Sequence, residues 1–314
     1  MSPPVLDIDR PLASFVEAMV TSASPQVECA VERRSKLSRR EFEHDYSLPR
    51  RPVILTDATQ HWKARHWTPE VLKRRVGRRE IEFRGGQGKI PFDDLTDMIE
   101  ASHHGAPAPY ARNIHLFRDL PELAADISPR IAYCQPDWKS SRLMPKNWLF
   151  DNGLEEMFFG GQGSKFPTLH VDYWGMDAFI SQLYGDKEVL VFAPSDTPYL
   201  YPTAQNPLIS SIADFDAPDL ARFPLYAKAK PIRFTLHPGE TLFCPGGWWH
   251  TTAMPDISIT IVTANWGRGN WAELIRQYEY HRRGGVRVKA ILTKAYLQAV
   301  GVALTCRDRL VHGI

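Results

Sequence analysis

Apolar residues recur along this chain at two spacings, and each spacing predicts a kind of element. Leu12, Phe15, Val16 and Met19 fall three and four residues apart and predict a helix over about residues 11–21. The polar, charged stretch over residues 22–40 reads as a connection or a mobile helix. Residues 51–55 predict a short buried strand. Thr68 before Pro69 marks a helix start, with the hydroxyl capping free N–H groups and proline in the first helical position. Residues 80–83 read as a strand, and Phe92, Leu95 and Ile99 share one face of a helix over 91–99. After a Gly/Pro break at 105–109 the chain returns to strand at 110–114.

The second half carries the stronger patterns. Residues 173–194 read as strand, turn and strand, and residues 239–250 as a strand running into a tight turn. The connection over 195–230 lacks periodicity and reads either as a cover over a barrel mouth or as a surface crossover. Residues 257–266 alternate cleanly, which places Thr263 and Asn265 in phase with Ile257, Ile259 and Ile261 and predicts that all five face inward. Trp271, Leu274, Ile275 and Tyr278 form a helical stripe. Ile291, Leu292, Ala295, Tyr296 and Ala299 form another.

Composition narrows the class. A chain of 314 residues can bury a sizeable core as one continuous unit, and a net charge of +2 supplies no global field for nucleic acid or membrane. The basic runs at 33–40, 73–79 and 282–283 read as solvated faces. Four cysteines without Cys-x-x-Cys spacing predict free thiols in a reducing compartment. With no apolar leader and no long apolar run, a soluble, cytoplasmic protein without a membrane partner is expected.

The candidate chemistry lies between residues 170 and 250. In His170-Val171-Asp172 the two polar side chains are two apart and share a face of an extended segment. One more histidine from a distant strand would complete a set of two imidazoles and a carboxylate on one side of a metal, the facial set of non-haem Fe(II) oxygenases. The Gly-rich run at 160–163 lacks a Gly-Lys-Ser/Thr ending and reads as the turn into the first metal-bearing strand rather than as a phosphate loop.

The run from His170 to Pro194, with Gly185-Asp186-Lys187, and the run from Gly239 to Asn265, with Gly246-Gly247-Trp248-Trp249-His250, resemble the JmjC-domain hydroxylases, including the asparaginyl and lysyl hydroxylases. The resemblance implies a mainly β fold with helical additions, a double-stranded β-helix or jelly roll of the cupin/JmjC kind with N-terminal and C-terminal helices. It divides the chain into an extension at 1–40, a catalytic domain at 41–266 and a helical segment at 267–314. It implies Fe(II) held by His170, Asp172 and His250, and 2-oxoglutarate and O2 as cosubstrates. Lys187 would hold the far carboxylate, with Tyr110, Thr168, Thr263 and Asn265 beside the cosubstrate. A protein or peptide side chain is the expected substrate. A small molecule, a tRNA base and an N-methyl group remain alternatives, as does a metal-binding cupin module or isomerase holding Zn or Mn. A homodimer through the C-terminal helices is also expected.

Overall fold

A computed structural model describes residues 16–17, 19–20, 30–145, 155–282 and 287–312. The helix expected over 11–21 lies mostly outside these; Val16, Glu17, Met19 and Val20 within it are helical. Twelve strands follow in chain order: β1 Glu32–Arg34, β2 Val53–Leu55, β3 Glu80–Glu82, β4 Lys89–Pro91, β5 Ala111–His115, β6 Glu155–Gly160, β7 Asp177–Tyr184, β8 Lys187–Phe192, β9 Ile232–Leu236, β10 Thr241–Cys244, β11 Trp249–Ala253 and β12 Ser258–Asn265. The longer helices are α1 Pro69–Val76, α2 Phe92–Glu100, α3 Trp271–Arg282 and α4 Arg287–His312. Thr68 caps α1 as its sequence requires, its hydroxyl accepting from the Val71 N–H at 3.1 Å. Among the described residues no helix is long and apolar enough to cross a membrane.

Seven strands form a large sheet in the order β1-β2-β10-β7-β12-β6-β5, and β11-β8-β9 form a small one. The two sheets face each other across an apolar layer in which Ala178, Ile180, Leu242 and Cys244 of the large sheet meet Val189, Val191, Ile232 and Leu236 of the small one. This is the expected double-stranded β-helix. Both sheets are also covered on their outer faces. Phe179, Leu183, Phe243, Ile259 and Ile261 point from the large sheet into a core shared with α1, α2 and the segment around Phe42 and Tyr46. Leu190, Phe192 and Trp249 point from the small sheet toward Leu200 and Leu208 of the long connection.

That long connection does more than cross the surface. Its residue Leu208 accepts from the Val171 N–H at 2.9 Å, and Ser210 donates to the Leu169 carbonyl at 3.0 Å, so it straps the segment that carries His170. The other edge of that segment pairs with β11, where His170 and His250 exchange backbone hydrogen bonds of 3.1 and 2.8 Å. His170 is therefore fixed from both sides.

At the C-terminal end, Trp271, Leu274, Tyr278, Leu297, Val300 and Leu304 close on Trp138, Trp174 and Trp266. This core holds α3 and α4 against the large sheet.

Candidate active site

A candidate metal-ligating group assembles from the strapped segment and β11. One donor atom from each of His170, Asp172 and His250 lies within 4.8 Å of the others, a geometry able to hold a metal ion. Both imidazoles approach the same carboxylate: His170 Nε2 lies 3.8 Å from Asp172 Oδ1, and His250 Nε2 lies 3.8 Å from Asp172 Oδ2. Each Nδ1 faces a backbone carbonyl instead, Thr168 O at 3.3 Å for His170 and Trp248 O at 3.2 Å for His250. A proton held on Nδ1 by a carbonyl leaves the Nε2 lone pair free to point at a metal. Burial, and then the neighbouring His250, push the His170 pKa well below its ordinary value, which keeps that ring neutral as a ligand must be. The donor set is of a type that suits Fe(II), and the residues present fit it.

Local backbone chemistry puts the ligands there. After Asp172 the chain turns through Tyr173–Gly175, where Trp174 and Gly175 take φ of 60° and 61°. The turn before His250 passes so close to it that a Cβ on Gly246 would lie 2.2 Å from the Gly175 carbonyl oxygen. Gly246 donates its N–H to Asp177 Oδ1 at 2.8 Å, and the Arg50 guanidinium donates to its carbonyl. Gly246→Ala should therefore lower stability by at least about 2 kcal/mol and weaken metal binding, checked by denaturant unfolding and metal titration of one preparation.

Lys187 opens β8, and Val189 and Val191 follow it on the chamber face. The expected strand, turn and strand are present, with the turn at Gly185 and Asp186. A Cβ on Gly185 would sit 1.9 Å from the Ile257 carbonyl oxygen, so only glycine fits. His250 pairs with Val191 in the β11–β8 ladder, four residues from Lys187 along the same face, about 13 Å of strand. The Lys187 side chain is buried, and its ammonium donates to Tyr110 Oη at 3.0 Å. Among the described residues no carboxylate pairs with it, and burial pushes its pKa down to about 7. Tyr110, expected from resemblance alone, thus does meet Lys187. Its phenol is pushed up by burial and bonds Thr252, a chamber-facing residue that the two-residue alternation from His250 would have revealed.

The other expectations resolve differently. Thr168 contributes its carbonyl to His170, as above. Thr263 and Asn265 share a face with Ile259 and Ile261, but that face meets the outer core; Val262 packs toward the chamber instead. Asn265 lines a small cavity with Phe42, Tyr133 and Asp308, away from the metal group. Among residues not foreseen, Asn113 stands at a β-bulge with φ 58° and donates to Glu156 Oε2 at 2.7 Å, while His115 Nε2 lies 3.5 Å from Glu156 Oε1.

Several cations of the basic runs at 33–40 and 73–79 pair locally. Lys73 pairs with Asp97, Arg75 with Asp126, Arg79 with Glu122, and Arg33 with Glu240.

Comparison with known proteins places these features in context. A family model described as a cupin-like domain matches residues 39–268. The chain is 28% identical over 247 residues to HSPB1-associated protein 1 of Homo sapiens, covering 68% of this chain and 47% of that protein. It is 27% identical over 272 residues to lysine-specific demethylase 8 of Xenopus tropicalis, covering 82% and 58%. It is 27% identical over 252 residues to the bifunctional peptidase and (3S)-lysyl hydroxylase JMJD7 of Homo sapiens, covering 67% and 75%. The chain spans about half the length of the first of these relatives.

Proposed function

The chain belongs to the family of cupin-like, JmjC-type domains, and on that premise we propose that it is an Fe(II)- and 2-oxoglutarate-dependent dioxygenase hydroxylating a C–H bond of a protein or peptide side chain. The observation that carries the reading is the buried Lys187, without a carboxylate of its own among the described residues, in the same chamber as two imidazoles and a carboxylate on one metal-sized point. A binding module or isomerase using those three ligands has no use for a buried, unpaired ammonium, which is costly to keep. A dicarboxylate cosubstrate explains it.

His170, Asp172 and His250 would hold the iron. Iron with 2-oxoglutarate and O2 supplies oxidation of a C–H bond, with succinate and CO2 as co-products. The chain's own residues do the rest. The carbonyls of Thr168 and Trp248 fix the imidazole tautomers, and Lys187 with Tyr110 receives the far carboxylate by charge-assisted hydrogen bonds. Ile180, Val189, Val191 and Val262 keep water from the chamber between them. A protein substrate is favoured because two of the relatives are named for action on lysine, and because the cations of the run at 73–79 are already paired rather than free for RNA. Mass spectrometry of host peptides, tRNA and metabolite extract after incubation with the iron-loaded protein tests the reading. One added oxygen atom on a peptide is expected. Addition only to tRNA or a metabolite would replace the substrate class, and no 2-oxoglutarate turnover with any of the three would refute the enzyme.

The reading includes a homodimer. Ile291, Leu292, Ala295, Tyr296, Ala299, Val302, Ala303, Cys306 and Leu310 form one apolar stripe along α4, and all are exposed, while Leu297, Val300 and Leu304 on the opposite side are buried in the chain's own core. An apolar stripe of this length on a water-facing helix calls for a partner, and a second copy offers the matching stripe. Leu292→Glu with Val302→Glu should convert a dimer to a monomer in light scattering without lowering the unfolding midpoint of the monomer. A wild-type monomer at micromolar concentration would contradict the dimer.

A further inference from the structure

Arg112 lies on β5 two residues from Tyr110, and the chain leaves its charge unmatched. Among the described residues no carboxylate comes within ion-pairing distance of it, and its Nε is buried without a hydrogen-bond partner. The side chain is nevertheless held in place. Its guanidinium carbon stands 4.9 Å from the Phe166 ring centroid, and Phe166 in turn stacks on the His170 imidazole at 4.3 Å and 13°. The backbone of Arg112 exchanges hydrogen bonds of 2.9 and 3.0 Å with Arg84, which fastens this edge under the exposed loop at residues 84–88. Burial lowers the Arg112 pKa, with Tyr110 opposing and Arg84 adding to the effect, so on balance its surroundings resist the charge. The carboxylate on the next strand, Glu156, is taken up by Asn113 and His115.

A half-buried cation with no counter-ion is costly, and the cost falls when a ligand supplies the anion. A guanidinium steadied over an aromatic ring can still offer N–H donors to a carboxylate. We propose that Arg112 is a specificity-determining residue that receives a carboxylate of the substrate, an aspartate or glutamate side chain close in sequence to the oxidised residue. The proposal rests on the oxygenase reading above. The cosubstrate already has its cation in Lys187, buried with Tyr110, whereas Arg112 sits against Phe166 beneath a solvent-facing loop. The stack Arg112–Phe166–His170 leaves one aromatic ring between the guanidinium and a proposed metal ligand, which puts the anion within reach of a neighbouring residue of a bound peptide.

The test uses the full chain loaded with Mn(II) as a redox-silent stand-in for iron, with N-oxalylglycine as the cosubstrate probe. Fluorescent, capped heptapeptides with a central Lys, Arg, Asn or His on an alanine background carry a single Asp walked through the flanking positions, each beside an Asn control. Polarisation should show one position at which Asp tightens binding about tenfold over Asn, the effect of one charge-assisted contact. Arg112→Met should lose that preference, and Arg112→Glu should replace it by a preference for Lys at the same position. N-oxalylglycine affinity should stay unchanged in both variants, which also reports that they are folded.

No Asp preference in the wild type, or one that survives Arg112→Met, would overturn the proposal. A tenfold weakening of N-oxalylglycine in Arg112→Met would assign the guanidinium to the cosubstrate and overturn it too. Failure of N-oxalylglycine to bind the wild type at all would remove the oxygenase reading first, and is distinct from every other outcome.

Discussion

Replacing Lys187 by methionine is expected to make the ligand-free protein more stable while weakening 2-oxoglutarate binding by about two orders of magnitude. The two effects have one cause. In the free protein the ammonium is buried with a phenol as its partner and no anion, so a linear apolar side chain of similar volume removes a desolvation cost. With cosubstrate present the same change deletes a charge-assisted pair, worth about 3 kcal/mol or a hundredfold in affinity. A role in folding alone would not produce gains and losses of opposite sign.

The pH dependence follows from the same residue. Its folded-state pKa is pushed from 10.5 down to about 7, so between those values the unfolded chain holds a proton that the folded chain has released. The unfolded state then binds more protons, and ligand-free stability should rise with pH from about 7 toward 10.5. Below about pH 7 both states carry the charge and the slope vanishes. A bound carboxylate favours the ammonium, so cosubstrate affinity should fall, by up to about tenfold per unit, as pH rises above 7. Unfolding midpoints and 2-oxoglutarate titrations across pH, for wild type and Lys187→Met, check both signs. A slope that is the same in the two proteins would show that Lys187 is not its source.

Asp172→Ala is expected to abolish metal-dependent turnover while leaving the fold intact. The carboxylate is half-exposed and serves no strand, so its loss costs the architecture little. The metal loses its anionic ligand, a larger effect than the 10–100-fold typical for a supporting partner one shell out. Metal at a hundred times its dissociation constant should stabilise the wild type by about 2.7 kcal/mol and Asp172→Ala by almost nothing. Thermal unfolding with and without added metal separates this from a folding defect.

The shared side of His170 and Asp172 was legible because its geometry is local, whereas His250 came from the resemblance and is brought beside them by strand pairing. A histidine and a carboxylate two apart on an extended segment must share a side, and the glycine-bounded turn before Lys187 is dictated by a carbonyl that tolerates no Cβ. The phase of β12 was not legible. Alternation separates two faces but does not say which is which, and here both are buried, one against the chamber through Val262 and the other against the outer core through Ile259 and Ile261. Thr263 and Asn265 were assigned to the wrong side for that reason. Asn113 and Arg112 were missed because their placement depends on strand pairing and on a bulge, neither of which leaves a mark on composition, whereas Thr252 could have been read from its two-residue spacing from His250.

The most direct test of the metal centre is a calorimetric titration of the chelator-stripped protein with Mn(II) as a redox-silent stand-in for iron, followed by N-oxalylglycine. The expected result is one ion per chain, tight N-oxalylglycine binding only after the ion, and loss of both in His170→Ala, Asp172→Ala and His250→Ala. An ion retained at full affinity by any of those three variants, or cosubstrate binding indifferent to the ion, would contradict it.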